Sequence, residues 1–421
     1  MSAATQARLT APTWLVALCV LGYLACSLQQ VVIGHSLGVG LSLGSMLLRL
    51  FAAGIALWAL ARHGVPRPLR LPGLAILACA LALGLSVLAS EHADIASRHA
   101  LRYGLELLSL WAMLNLALAW PACLLAAARA ALIVLWLGLA LAIAVALDLP
   151  QAKSLSLAFH VADTFKYLPR VSGFYEHPAL LAASGVLVAL LATQLLREGY
   201  WSRRSWLAAL GGALLALLLS GARNPLLALL ALLGLWLWQR RGAARAWRLG
   251  LLALLGVGLL LGGAIASRYA EITSASREGF LTAFSLGRTY LWAGAFEAWR
   301  SHPWFGLGAG VYQYLVPDYT GGRFDRGELH AHNLVLGVLS ETGLVGLLAC
   351  LFLLYALWRP WLSQRGAPGR GWALAWLLAL LSLGLFDFYL PFYSFTLHAA
   401  LAVALLYALY PGARAGAMPG P

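Results

Sequence analysis

The chain alternates long apolar runs with short polar stretches, and this alternation is its dominant pattern. Runs such as 207–220 and 251–264 consist almost wholly of Leu, Ala and Gly, without the alternation of a barrel strand. About 20 apolar residues are enough to cross a bilayer as a helix. Because lipid forces every spanning backbone group to be paired internally, such unbroken runs predict membrane helices.

The apolar runs predict an all-α, polytopic membrane protein, with residues 1–421 forming a single integral membrane domain. About twelve spans are expected, at 13–30, 41–61, 73–89, 103–120, 127–147, 178–196, 206–220, 224–238, 249–266, 333–357, 371–387 and 394–410. Two intervening segments, 148–177 and 267–332, are long. Loops of such length are usually functional or disordered, and the second is too aromatic and apolar to be disordered.

Composition agrees with this class and sets the orientation. Hydrophobic residues make up 62% of the chain and charged residues only 10%, against about 25% charged in soluble domains. The net charge of +14 could indicate a nucleic-acid partner. However, the basic residues concentrate in alternate loops, as the positive-inside rule describes for cytoplasmic loops. We therefore expect no nucleic acid, cytoplasmic termini, and long loops that face outward, into the periplasm of a bacterium.

The large loop 267–332 is predicted to be partly helical. Residues 287–300 form an amphipathic pattern in which Arg288, Trp292 and Phe296 fall on one face. The aromatic face suggests a helix on the membrane surface with Arg288 at headgroup level. Pro303 should end this helix, and a glycine-rich turn, 304–310, follows it.

Arg223 is the first candidate for chemistry, because it lies in a turn between two short apolar runs. Each run covers only about 21 Å of a hydrocarbon core roughly 30 Å thick, so the turn should carry Arg223 into the membrane. A buried guanidinium needs an anionic partner. Either a distant carboxylate pairs with it, or it binds the phosphate of a lipid substrate.

A second candidate is His332, followed by Asn333 at the start of the span 333–357. The positive end of the helix dipole disfavours imidazolium, and a neutral imidazole is a competent general base. The alternative is an ordinary polar residue at the interface, and His330 is a rival for the same role. Glu341 falls on another face of the helix, where we expect it to pair with a polar group inside the bundle.

The segment from Arg170 to Pro178 contains a third candidate, the pair Glu176 and His177. The two could act together in catalysis, or they could cap the helix that begins at Pro178. Both interpretations stay open. His330 and His332 lack a carboxylate or thiolate at metal-site spacing, and no phosphate loop or dinucleotide fingerprint follows a strand. We therefore expect neither a metal nor a nucleotide cofactor.

Taken in order along residues 165–350, these motifs resemble the O-antigen ligase and polymerase superfamily of bacterial membrane glycosyltransferases. The resemblance is carried by the following motifs: Arg170-x-x-Gly173, His177-Pro178, Ser220-x-x-Arg223, Arg288 with Trp292, His302-Pro303-Trp-Phe-Gly306-x-Gly308, and His332-Asn333 followed by Gly343-x-x-Gly346. It implies a GT-C-like membrane glycosyltransferase. Such an enzyme joins O-antigen from undecaprenyl diphosphate to lipid A–core oligosaccharide on the periplasmic face of the inner membrane, without metal or nucleotide.

The resemblance also implies roles for particular residues. Arg223 and Arg288 would hold the diphosphate and stabilise its leaving oxygen, while His332 would deprotonate the acceptor hydroxyl. Attack from the opposite face of the anomeric carbon would invert its configuration. Candidate substrate contacts are Arg170, His177, Trp292, Arg300, His330 and Asn333. Two alternatives remain: a glycan polymerase of the same superfamily, and a transporter of lipid-linked glycans. The polyprenyl chain is expected near spans seven to ten.

Overall fold

The computed structural model describes residues 11–27, 64–152, 171–175, 177–222, 288–324, 330–385, 387–388 and 393–410, with isolated positions between 50 and 61 and between 224 and 232. Within these segments the regular elements are helices and no strand occurs, in agreement with the all-α prediction. In chain order they are α1 Thr13–Ser27, α2 Arg70–Ala89, α3 Ala93–Ala119, α4 Pro121–Ala146, α5 Pro178–Arg197, α6 Arg203–Ser220, α7 Arg288–Ser301, α8 Tyr312–Thr320, α9 Leu334–Leu362, α10 Arg370–Leu385 and α11 Tyr393–Leu409.

Four described stretches are long and apolar enough to cross a membrane: Arg67–Ala89, Pro121–Ala146, Pro178–Arg197 and Leu334–Leu362. Three shorter apolar helices accompany them, at Thr13–Leu24, Arg370–Leu385 and Phe395–Leu409. The predicted spans 41–61, 224–238 and 249–266 lie wholly or largely outside the described residues. A membrane protein built of helices is therefore supported, whereas the number of spans stays a prediction.

Three helix boundaries differ from the predicted ones for identifiable reasons. Helix α3 begins at Ala93 rather than at 103, because hydropathy locates the lipid-spanning part and misses the more polar first ten residues, which form nearly three turns. Helix α4 begins at Pro121 rather than at 127, and proline is well tolerated at the first helical position. Helix α10 ends at Leu385, so Asp387 lies beyond the helix instead of at its last predicted position.

Helix α5 forms the centre of the described bundle and is buried along nearly its whole length. It packs against α4, α6, α10 and α11. Small residues allow the close approach, since a side chain at Gly185 would meet Ala213 and Ala216 at 3.1 Å. Trp376 on α10 donates its indole N–H to Gln194 on α5 at 2.7 Å, a buried polar link between the two helices.

Helix α9 is broken at Gly343, where φ is 65° and ψ is −163°. The glycine-rich turn docks into this break, and a side chain at Gly343 would collide with the backbone of Trp304. Four backbone hydrogen bonds join turn and helix: Leu307 to Ser340, Gly308 to Glu341, Leu344 to Pro303 and Val345 to Trp304. Because the turn satisfies backbone groups that the break frees, it fixes the end of α7 against α9.

Candidate active site

Three residues from distant parts of the chain meet at the carboxylate of Asp387, and we call the four residues together the Asp387 cluster. The His332 Nδ1 lies 2.8 Å from Asp387 Oδ1. The Asn224 side-chain amide donates to Asp387 Oδ2 at 3.4 Å, and an Arg288 guanidinium nitrogen lies 3.8 Å from the same oxygen. Arg288 also donates to the Asn224 carbonyl oxygen at 3.5 Å.

Neighbouring residues fix the backbone of His332. Asn333 caps α9 by accepting a hydrogen bond from the Leu336 N–H at 3.0 Å, and asparagine is among the best residues for this position. The same side chain donates to the Leu385 carbonyl at 2.9 Å, which ties the start of α9 to the end of α10. Trp292 donates its indole N–H to the His332 carbonyl at 3.3 Å. Asn333 and Trp292 therefore both position His332, whose φ is 47°.

Asp387 is only 4% exposed, yet its surroundings favour the charged form. Burial opposes ionisation, but the charge and hydrogen bond of His332, the charge of Arg288 and the charge of His177 together hold the pKa of Asp387 below its usual value. An ionised carboxylate only accepts hydrogen bonds, so the Nδ1 of His332 must donate. In a neutral imidazole the Nε2 then carries the lone pair and can accept a proton.

The structure adds a partner to the sequence prediction for His332. The histidine directly precedes the capping residue Asn333, next to the start of the helix as expected, and its ring pairs with a carboxylate that the sequence analysis did not identify. A signal for Asp387 existed, because an acidic residue at the end of an apolar run is costly to bury unless it is paired. Asn224 was also missed, since a neutral amide gives no comparable signal.

Arg288 is the first residue of α7, and the helix directs it toward the cluster. The prediction of a helix over 287–300 is confirmed. Its buried face, however, consists of Leu291 and small residues that pack against α8 and α9, and the Tyr312 hydroxyl donates to the Leu291 carbonyl at 2.8 Å. Phe296 is 44% exposed. The Arg288 guanidinium faces the buried Asp387, and its depth relative to the lipid headgroups stays a prediction.

His330 lies next to the cluster but in a different environment. Its ring packs edge-on against Phe388, with the ring centroids 5.9 Å apart. Burial, reinforced by the charge of His332, lowers the pKa of His330 to about 3. The imidazole is therefore neutral at ordinary pH. No group of three or more His, Cys, Asp or Glu residues that could hold a metal ion occurs in the described segments.

The structure brings only some of the other predicted residues to the site. His177 caps α5 by accepting a hydrogen bond from the Ala179 N–H at 3.1 Å, which confirms the capping interpretation, and its charge also acts on Asp387. Arg300 lies at the far end of α7 from Arg288, exposed and paired with Glu297 at 3.0 Å. Arg170, Glu176 and Arg223 lie outside the described residues, so their roles stay predictions.

Glu341 confirms the expectation that it pairs with polar groups inside the bundle. The side chain is 3% exposed. It accepts a hydrogen bond from the Gly310 N–H at 2.9 Å and another from the Tyr103 hydroxyl at 3.3 Å. Through Gly310, Glu341 thus fixes the last residue of the glycine-rich turn.

Comparisons with known proteins find similarity over part of the chain. A family model described as O-antigen ligase matches residues 206–351. An O-antigen ligase of Pseudomonas aeruginosa strain PAO1 is 33% identical over 186 residues, which cover 42% of this chain and 39% of that protein. Residues 206–351 are thus similar to the O-antigen ligase family.

The region that the family model matches contains three of the four cluster residues: Asn224, Arg288 and His332. Asp387 lies beyond its last residue. The chain is thus similar to less than half of the curated O-antigen ligase. The site therefore combines residues of the matched region with Asp387, which follows the end of α10.

Proposed function

We propose that this protein is an O-antigen ligase. It transfers O-antigen polysaccharide from undecaprenyl diphosphate to lipid A–core oligosaccharide at the periplasmic face of the bacterial inner membrane, without metal or nucleotide. The observation that carries the proposal is the hydrogen bond between His332 and the buried Asp387, with Arg288 beside it. His332 supplies a base and Arg288 supplies a cation in the same site, next to the start of helix α9.

His332 acts as the general base. The acceptor sugar hydroxyl must lose a proton as it attacks, and Asp387 holds the imidazole so that Nε2 is free to take it. The His332 side chain is 19% exposed, which leaves the ring within reach of a substrate, whereas Asp387 is buried behind it. A positioned base of this kind contributes about 10²- to 10⁴-fold in rate.

Arg288 and Arg223 bind the diphosphate. Charge builds on the leaving oxygen as the glycosidic bond breaks, and a fixed cation in a water-poor site stabilises that charge. Arg288 is held by Asp387 and Asn224 and keeps 24% of its side chain exposed. Arg223 directly precedes Asn224, which contacts Asp387.

The reaction is a single displacement. A bond forms between the acceptor oxygen and the anomeric carbon, while the bond from that carbon to the diphosphate oxygen breaks. The electron pair leaves with the diphosphate, and the hydroxyl proton moves to Nε2 of His332. Attack on the face opposite the leaving group inverts the anomeric centre.

A crevice beside the cluster suits the polyprenyl chain of the donor. It has a volume of about 270 Å³ and is lined mostly by apolar side chains of α2, α3, α9, α10 and α11. Leu334 and Phe388 line it next to the cluster, and Leu357 and Trp358 line its deeper part. These helices correspond to predicted spans three, four and ten to twelve. We therefore assign the polyprenyl chain of the donor to this crevice instead of to the expected spans seven to ten.

The proposal is tested with purified protein in detergent, glycan-loaded undecaprenyl diphosphate, lipid A–core, EDTA and no nucleotide. We expect transfer by the wild type and its loss in His332→Ala and Asp387→Asn, with Arg300→Ala as the active control on the same helix as Arg288. Lengthening of the lipid-linked glycan without transfer to lipid A–core would instead indicate a polymerase. If well-folded protein neither transfers glycan to lipid A–core nor lengthens the lipid-linked glycan, a transporter would be favoured.

A further inference from the structure

The two oxygens of the Asp387 carboxylate are held differently. Oδ1 lies 2.8 Å from the His332 Nδ1 and accepts a hydrogen bond from the Phe388 backbone N–H at 3.0 Å. Oδ2 accepts a hydrogen bond from the Asn224 side-chain amide at 3.4 Å, and a terminal nitrogen of Arg288 lies 3.8 Å away. The imidazole is therefore tied closely to the carboxylate, whereas the guanidinium lies beyond hydrogen-bond distance from it.

Asn224 lies between Arg288 and Asp387. Its side-chain nitrogen donates to the carboxylate, and its side-chain oxygen accepts from the Arg288 guanidinium at 3.5 Å. An amide can donate to one neighbour and accept from the other, whereas a carboxylate could only accept and an alanine side chain could do neither. Asn224 is 6% exposed. It is therefore covered from a substrate that Arg288 could touch.

The separation of the guanidinium from the carboxylate has a chemical consequence. In a direct ion pair the two groups lie about 2.7–2.9 Å apart and often share two parallel N–H···O bonds. Such a pair would occupy N–H groups that the proposed function assigns to the diphosphate of the donor. The Arg288 side chain is instead 24% exposed. We propose that Asn224 is a positioning residue, which holds Arg288 away from Asp387 and so keeps the guanidinium available to a diphosphate; this inference rests on the proposed function.

A second buried asparagine provides a matched control. Asn115 on α3 is 7% exposed, and its amide donates to the Trp111 carbonyl on the same helix at 2.8 Å. Replacing Asn115 or Asn224 by alanine removes a buried, hydrogen-bonded amide, so both changes should lower thermal stability. Only the change at Asn224 should also alter the binding of a diphosphate.

The test is isothermal titration calorimetry of the purified full chain in detergent, with farnesyl diphosphate as a soluble probe. Asn224→Ala should raise Kd about tenfold, because Arg288 and Asp387 can then pair directly and compete with the diphosphate. Asn224→Gln keeps an amide and should stay within about threefold of wild type. Asn115→Ala should leave Kd unchanged. Misfolded protein lowers the stoichiometry and not the affinity, so damage to the fold is separable from the predicted effect.

A double variant shows whether Asn224 acts through Arg288. Arg288→Gln should itself weaken binding, and adding Asn224→Ala should cause no further change, because the guanidinium that Asn224 positions is gone. An unchanged Kd in Asn224→Ala, equal losses in Asn224→Ala and Asn224→Gln, or losses that multiply in the double variant would overturn the inference and leave the proposed function intact. Wild-type protein that does not bind the probe would overturn both.

Discussion

Two buried carboxylates, Asp387 and Glu341, have opposite kinds of partner. Asp387 is 4% exposed and Glu341 is 3% exposed. Asp387 is surrounded by His332, Arg288 and an amide, whereas Glu341 accepts hydrogen bonds from a backbone N–H and a phenol. Burial alone therefore does not distinguish a reactive carboxylate from a structural one, and the partners do.

The groups that a substrate could reach differ between the two carboxylates. His332 and Arg288 are partly exposed, whereas Asp387 and Asn224 beside them are buried. Next to Glu341, Gly310 is buried in the docked turn and Tyr103 is half-buried, and neither of these partners is an imidazole or a guanidinium. We infer that Asp387 acts through His332 and Arg288 on a substrate, and that Glu341 only holds the turn in position.

The largest effect is expected from removing the base. His332→Ala should lower the rate of glycan transfer about 10³- to 10⁴-fold, since general-base catalysis contributes up to that amount. The initial rate with saturating lipid A–core measures it. Arg300→Ala should stay within a small factor of wild type, because Arg300 is exposed and paired away from the cluster. Activity of His332→Ala near the wild-type rate would remove this residue from the mechanism.

Replacing each carboxylate by the corresponding amide tests the difference between Asp387 and Glu341. Asp387→Asn should lower kcat about 10²- to 10⁴-fold with little change in KM, because a neutral amide no longer fixes the imidazole with Nε2 unprotonated. Glu341→Gln should keep transfer within about tenfold of wild type, because its carbonyl oxygen still accepts from Gly310. Equal losses of transfer rate in Asp387→Asn and Glu341→Gln would show that the two carboxylates do not differ in their roles.

Removing the Glu341 side chain should affect stability more than chemistry. Glu341→Ala leaves the buried Gly310 N–H unpaired, which costs about 1–3 kcal/mol. Thermal unfolding in detergent should show a lower Tm than for Glu341→Gln. An unchanged Tm would mean that the turn is held by its backbone hydrogen bonds to α9 alone.

The smallest effect is expected at His330. Its pKa, lowered to about 3, makes the ring neutral throughout pH 5–8, so it cannot produce a pH limb in that range. His330→Asn should therefore leave the position of any acid limb in the kcat/KM profile unchanged. A limb that moved or disappeared in this variant would assign the titration to His330.

Much of this architecture was readable from the sequence. Apolar runs located the helices, Pro303 marked the end of α7, and the polar residues at the start of α9 identified His332 and Asn333. Asp387 and Asn224 were not found, because their importance arises from contacts with residues 55 and 64 positions away. Hydropathy treats Asp387 as the end of a span and Asn224 as part of a turn. A hydropathy pattern does not show which distant residue a side chain contacts in the fold.

The central claim is that Asp387 works through His332, and a double-mutant cycle on the transfer rate tests it most directly. Wild type, His332→Ala, Asp387→Asn and the double variant would be compared under identical conditions. Because residues acting as one unit are non-additive, we expect the double variant to be about as slow as His332→Ala. Rate losses that multiply would show that the two residues act independently, and would contradict the account.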